Sequence, residues 1–334
     1  MVDLNTIKKL ALDLTNGSLP DKYDAKNASD VLRKSLIELN GGSSRIDLKA
    51  MRRNKNEYFE LLEVIIPRII QEGLRDDEFY NTLVEEHNLN LGDSNVFVAD
   101  DNTQFIVSEI ADGIARPRRQ RIGQKTEVAI PTTWHAVSIY EEWSRFVSGR
   151  IDWNDIMDKV PAAFKAKFYE DVYAIFSGLA TDTVYGANYV ASGTYSEDTL
   201  LNIVDHVEAA MGVKAAIYGT RAALRRCMVS DAAVMSDEAR TSYFDGGYYG
   251  KLAGVPLIVV RNVHKAGTDD FIFSDKELYI FGSGDKPIKY VREGEPWVTD
   301  TQEGKADKTI EYTYQEKYGV GLVANGRIGK YTMS

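Results

Sequence analysis

Two short runs in the middle of the chain alternate apolar and polar residues with the period of a half-buried strand. They are Thr126-Glu127-Val128-Ala129-Ile130 and Ala136-Val137-Ser138-Ile139-Tyr140. Pro131-Thr132-Thr133-Trp134 between them predicts a turn, so residues 114–143 read as a long hairpin. A two-stranded ribbon is marginal in water, which implies that this arm lies on another surface, and we expect that surface to belong to a neighbouring copy. Downstream, Trp153, Ile156, Met157, Val160, Phe164, Phe168, Val172, Ile175 and Phe176 recur at helical spacing. They predict one face of a helix of about six turns. Asp152, with Asp155 three residues on, is its expected cap and Gly178 its expected end, while Pro161 predicts a kink or the start of a second helix.

The stretch before the hairpin reads as a charged, mostly helical arm. Residues 28–39 predict a short helix stopping at Gly41-Gly42, and 43–53 a linker. Tyr58, Leu61, Leu62, Ile65, Ile66 and Ile69 fall at helical spacing with Pro67 kinking or dividing the segment, and 76–86 predicts a third helical piece. The arm has an apolar stripe but little core of its own, so it should pack elsewhere. From Ser196 the elements alternate. Leu200, Ile203, Val204 and Val207 line a helix ending near Gly212, 215–218 predicts a strand, and 220–228 a helix. Leu257-Ile258-Val259-Val260 is a continuous apolar run, as in a strand buried on both faces. Phe271-Ile272-Phe273 and residues 278–281 predict strands leading out of this compact α/β or α+β unit. Near the C-terminus Ile310, Tyr312, Tyr314, Tyr318, Val320 and Leu322 share one parity, with only Glu316 out of pattern, so this strand must pair inside a sheet.

At 334 residues the chain is long enough for a large core, with 44% hydrophobic and 27% charged residues, ordinary globular values. The formal charge of −10 gives the molecule as a whole no attraction to nucleic acid. One cysteine, Cys227, excludes an intramolecular disulfide and any multi-cysteine metal site, which fits a reducing cytoplasm. Met1-Val2-Asp3-Leu4-Asn5 lacks the basic start and apolar block of a signal peptide. The best membrane candidate, 58–70, is interrupted by Glu60, Glu63 and Arg68 and is too short to span a bilayer. We therefore expect a soluble protein with no membrane contact.

Motifs for catalysis are incomplete. His206-Val207-Glu208 resembles half of a zinc deaminase site but lacks the later pair of cysteines, and the four histidines His87, His135, His206 and His264 share no ligand spacing. Gly246-Gly247-Tyr248-Tyr249-Gly250-Lys251 lacks the spacer and hydroxyl of a phosphate-binding loop and reads as a turn into the next strand. Gly282-Ser283-Gly284-Asp285 reads as a turn. No catalytic, cofactor or metal residue is implied. The densest charge lies near the expected hairpin tip, where Arg116, Arg118, Arg119 and Arg121 put four arginines in six residues. Three readings stay open: a solvated loop, a bridge to carboxylates of a neighbouring copy, or a nucleic-acid contact. Planar guanidinium forks suit the bridge, and with Lys125 these are the candidate inter-subunit contacts. Lys125 and Asn325 as an isopeptide pair is outweighed by ordinary surface roles.

The order of elements resembles the major capsid proteins of tailed bacteriophages, with the Hong Kong 97-type fold. The resemblance rests on a helical arm, a long hairpin, a long helix, a mixed domain containing Gly254-Val255-Pro256-Leu257-Ile258-Val259-Val260, and a closing strand rich in Tyr and Gly. It implies an α+β fold. Residues 1–100 would be the N-terminal arm, expected to be retained, and 101–148 the extended loop with its flanking strands. Residues 149–184 would hold the spine helix of a peripheral domain, 185–270 an axial domain, and 271–334 the returning peripheral sheet. It further implies a non-enzymatic shell subunit without cofactor, assembling in the host cytoplasm into hexamers and pentamers of an icosahedral virion. The shell would enclose double-stranded DNA through weak, non-specific contact, and scaffold, portal or decoration proteins are expected partners. The alternatives are an encapsulin-like nanocompartment, which a cargo enzyme inside the particle would reveal, and a soluble α/β enzyme built on 185–268, which leaves the hairpin unexplained.

Overall fold

The long helix organises the molecule. In a computed structural model of the chain, helix α2 (Trp153–Gly178) runs unbroken through Pro161, so no second helix starts there. The residues described are 34, 38, 42, 63, 66, 67, 69–99, 105–110, 112, 119–123, 125–142, 153–178, 186, 188–227, 237–284, 286–300, 309–323 and 327–334. Tyr58, Leu61, Leu62, Ile65 and Asp152 lie outside them. Val160, Phe164, Phe168, Val172 and Phe176 are buried as the spacing predicts, joined by Tyr169. Each such side chain contributes roughly 1.5–3 kcal/mol by leaving water, ample to offset the backbone bond that Pro161 cannot make.

This face reaches both sheets. Phe164 meets Tyr314 edge-on at 5.1 Å and Phe168 meets Tyr290 at 5.1 Å. At the other end Phe176 lies 4.7 Å from Tyr279 and 5.3 Å from Phe281. The stripe ahead of the hairpin joins the same core: Ile66, Ile70, Leu74, Phe79 and Leu83 are all buried there. Its last piece is shorter than the pattern predicts. Helix α1 (Glu78–Leu83) stops where strand β1 (Val84–Leu89) begins, because β1 pairs in parallel with β10 (Ile288–Glu293). The first hundred residues are therefore not helical throughout; they also supply β2 (Val96–Ala99).

The first sheet has five strands. Strand β12 (Thr309–Leu322) is its centre: β10 and β11 (Trp297–Asp300) pair along one side, and β4 (Thr133–Glu142) pairs antiparallel along the other over ten residues. This corrects the expected hairpin. β3 (Thr126–Ala129) pairs not with β4 but with β2, forming a two-stranded ribbon, while β4 is laid on the sheet. Glu316 is on the apolar face, as its parity requires, and is buried together with Arg292, whose Nε donates to it at 2.5 Å. The Tyr314 hydroxyl donates to the other carboxylate oxygen at 3.0 Å. The charge out of pattern is thus neutralised by a partner from β10.

The second sheet has six strands in the order β5 (Val190–Gly193), β13 (Gly329–Met333), β9 (Glu277–Gly282), β6 (Ala215–Gly219), β8 (Val255–Val259) and β7 (Lys251–Leu252). Residues 271–334 are therefore divided between two sheets and do not return to one. β9 explains why: Leu278, Tyr279, Ile280 and Phe281 are all buried, alternate ones in different cores, so this strand needs cover on both faces. One cover is α2. The other is α3 (Glu197–Met211), capped by the Ser196 hydroxyl, which accepts from Thr199 N–H at 3.4 Å, and ended by Gly212 at φ 68°. Helix α4 (Arg221–Arg225) and Cys227 complete that second core, and α5 (Asp237–Gly246) precedes β7. The strand predicted at Phe271-Ile272-Phe273 is absent from these sheets. Both arms of the Asn262 amide bond the Phe273 backbone, at 3.1 and 3.0 Å, and substitute for a strand partner.

Candidate subunit interfaces

The β2–β3 ribbon is rooted firmly. Asn95 and Ile130 exchange two hydrogen bonds, amide to carbonyl at 2.7 Å and backbone N–H to amide oxygen at 3.0 Å. Phe97, Ala99 and Val128 turn inward onto Ile130, Val291 and Val323. Where the chain leaves the ribbon it crosses β12 at Gly319 and Gly321. A Cβ on Gly319 would fall 2.3 Å from the Pro131 carbonyl oxygen, and one on Gly321 would fall 2.7 Å from Ile130 Cγ1. Only glycine permits this approach. Beside it Glu293, at the end of β10, collects donors from three segments: Lys317 Nζ at 2.7 Å, the Thr132 hydroxyl, and Gly92 N–H at 3.0 Å. These hold its carboxyl down to about 2, the Lys317 bond most of all.

Beyond the root the arm is open. Val96 and Val98 face outward on β2. Residues 105–110 and 119–123 lie side by side through the Gln120 amide, which accepts Ile106 N–H at 2.7 Å and donates to its carbonyl at 2.6 Å. Phe105, Ile106, Val107, Ile110 and Ile122 are exposed there, Val107 at 95%. Of the candidate contacts, Arg119, Arg121 and Lys125 are exposed, while Arg116 and Arg118 lie outside the described residues, as does Asn325. The arginines therefore border exposed apolar residues, a combination typical of protein interfaces.

A family model described as "SPbeta prophage-derived putative capsid protein YonB" matches residues 6–332. The chain belongs to this capsid-protein family. Its fold is the Hong Kong 97-type capsid fold, α+β, and it is a structural capsid subunit. Among solved structures it is similar to the capsid of cyanophage P-SCSP1u, with a TM-score of 0.51 and 12% identity over 76% of this chain and 88% of that one. The mature capsid of bacteriophage PhiM1 is similar at a TM-score of 0.50 and 11% identity, over 77% of this chain and 87% of that one. No curated protein matches the sequence.

For a member of this family the surfaces matter more than any pocket, and one surface escaped the sequence reading. On the five-stranded sheet the face away from α2 carries Trp134 and Tyr140 from β4 and Trp297 from β11, exposed at 49%, 71% and 58%. The register places Trp297, Gln315 and Ala136 in one row across three strands. The even positions of β4 were the signal: Val137 and Ile139 turn inward, so Trp134 and Tyr140 must turn out. Residues with chemical potential are structural instead. Glu208 accepts Ala215 N–H at 2.8 Å, burial pushes the Cys227 thiol up to about 12, and among the described residues no group of His, Cys, Asp and Glu could hold a metal. No helix among the described residues is long and apolar enough to cross a membrane.

Proposed function

We propose that copies of this chain close into rings of six and five that build an icosahedral phage shell around double-stranded DNA. The observation that carries this reading is the ribbon: it is rooted by specific bonds yet presents Val96, Val98 and the apolar residues of 105–110 to solvent. A ribbon with one face uncovered gains stability by lying on a neighbour, and the aromatic outer face of the five-stranded sheet is a surface able to receive it. In this reading α2 with the five-stranded sheet forms the peripheral domain, the six-stranded sheet with α3 to α5 the axial domain, and the tip arginines with Lys125 bridge to carboxylates of the next copy. The role is non-enzymatic, assembly takes place in the host cytoplasm, and contact with DNA is weak and non-specific. Scaffold, portal and decoration proteins are the further partners expected for such a shell. Family membership supports a phage shell over a nanocompartment. Light scattering after size exclusion tests the reading: rings or larger assemblies support it, and a well-folded monomer at all protein and salt concentrations overturns it.

A further inference from the structure

The strongest feature not absorbed by this account is a cleft of about 810 Å³ on the six-stranded unit. Strands β6 and β8 run parallel and both end at it, held together there by Val260 N–H donating to the Gly219 carbonyl at 2.8 Å. Crevices outside the carboxyl ends of parallel strands are where open α/β sheets bind their ligands. Arg221, Arg225 and Arg261 line this one, and all three are exposed. No ion pair or hydrogen bond among the described residues engages their guanidinium groups. The floor, by contrast, is fixed. The Thr220 hydroxyl donates to Asp275 at 2.8 Å while accepting Ala223 N–H at 3.1 Å, and Asp77 pairs with Lys165 at 3.4 Å.

Charge and rim together define the occupant. Two fixed carboxylates, Asp77 and Asp275, oppose a dense polyanion such as a nucleic-acid backbone, whereas isolated carboxylates on a protein can avoid them. Phe271 lines the cleft and is 52% exposed, and Phe244, next to the lining residue Tyr243, is 92% exposed. Arginine beside aromatic residues is the composition of a protein–protein contact. The complementary surface is present on the same unit. The outer stripe of α3 exposes Asp198, Asn202 and Asp205, no ion pair among the described residues engages either aspartate, and no residue of α3 lines the cleft. Two different, complementary patches on one subunit are what a head-to-tail ring requires.

We propose that the arginine cleft of one copy receives the acidic outer stripe of α3 from the next copy around a ring. This rests on the shell reading above. Charge exchange tests it: Arg221→Glu with Arg225→Glu, Asp198→Arg with Asp205→Arg, and all four substitutions together, each compared with the parent by circular dichroism, light scattering and electron microscopy. Each pair alone should retain folded subunits but lower the yield of assembled particles by about tenfold or more, because like charges then face each other. The fourfold exchange should restore assembly. The inference is overturned if both pairs assemble like the parent, or if folded fourfold variants assemble no better than either pair. Particles of the cleft variant that form at parental yield but hold less DNA would also overturn it and assign the cleft to the genome. A parent that itself remains monomeric overturns the shell reading and this inference together, which separates that failure from the others.

Discussion

Removing one partner of the buried Arg292–Glu316 pair should be far more damaging than removing both. Their side chains are 11% and 4% exposed, joined at 2.5 Å, and flanked by Tyr290 and Tyr314, whose phenols burial pushes far above their ordinary range. Changing Glu316→Leu leaves a guanidinium without its carboxylate in this apolar layer, and Arg292→Met leaves a carboxylate without its guanidinium. Breaking such a pair costs about 3–5 kcal/mol. The double variant Arg292→Met, Glu316→Leu removes both charges and replaces them with apolar groups, and this change is often neutral or stabilising by about 1–4 kcal/mol. The Tyr314 hydroxyl then loses its acceptor, which returns about 1–3 kcal/mol of that gain. We therefore expect the double variant within about 2 kcal/mol of the parent. Urea unfolding of unassembled subunits, with midpoints compared at unchanged slope, measures all four corners of the cycle. Single variants that each lose under about 1 kcal/mol would refute the reasoning, since the pair would then behave as if solvated.

Gly319→Ala should cost about 1–3 kcal/mol of stability, because the new Cβ meets the Pro131 backbone; a neutral result in urea unfolding would mean that the crossing is looser than its geometry. Glu293 titrates lower in the folded protein than its ordinary 4.5, at about 2. Its contribution is therefore complete above pH 4.5 and lost as the pH falls from 4.5 towards 2. The protection of the Gly92 amide, its hydrogen exchange taken relative to the intrinsic rate at each pH, should fall over that interval in the parent, whereas Glu293→Gln should remove that pH-dependent step. Arg119→Glu with Arg121→Glu should leave the circular dichroism spectrum unchanged while lowering particle yield or raising its salt sensitivity, because exposed ion pairs of about 0–1 kcal/mol are repeated at every contact of a shell. Equal assembly across ionic strength would leave those arginines as a solvated tip.

Periodicity made individual elements readable because it records burial directly. The face of α2, the helix ending at Gly212 and the parity of β12 all follow from residues that must leave water together, with Glu316 legible as the one residue out of pattern but its Arg292 partner not. Pairing was less readable. The alternation in 126–130 identifies a strand but carries no information about whether 96–99 or 133–142 lies beside it, and the crossing over Gly319 and Gly321 that decides this is a contact between segments almost 190 residues apart. The same limit divided 271–334 between two sheets, since nothing in the sequence of β9 or β10 names the strand it pairs with, and only their neighbours distinguish them. Among surface residues the arginine cluster was visible as a local density of charge. The Arg221, Arg225 and Arg261 cleft was not, because it forms only when two parallel strands bring their ends together.

Electron microscopy of the purified protein shows at once whether its copies close into a shell. Closed shells are expected whose faces and vertices resolve into rings of six and five copies, with the β2–β3 ribbon of each copy lying on its neighbour. A homogeneous population of folded single subunits, with the ribbon and the outer face of the five-stranded sheet open to solvent at every concentration, would contradict it.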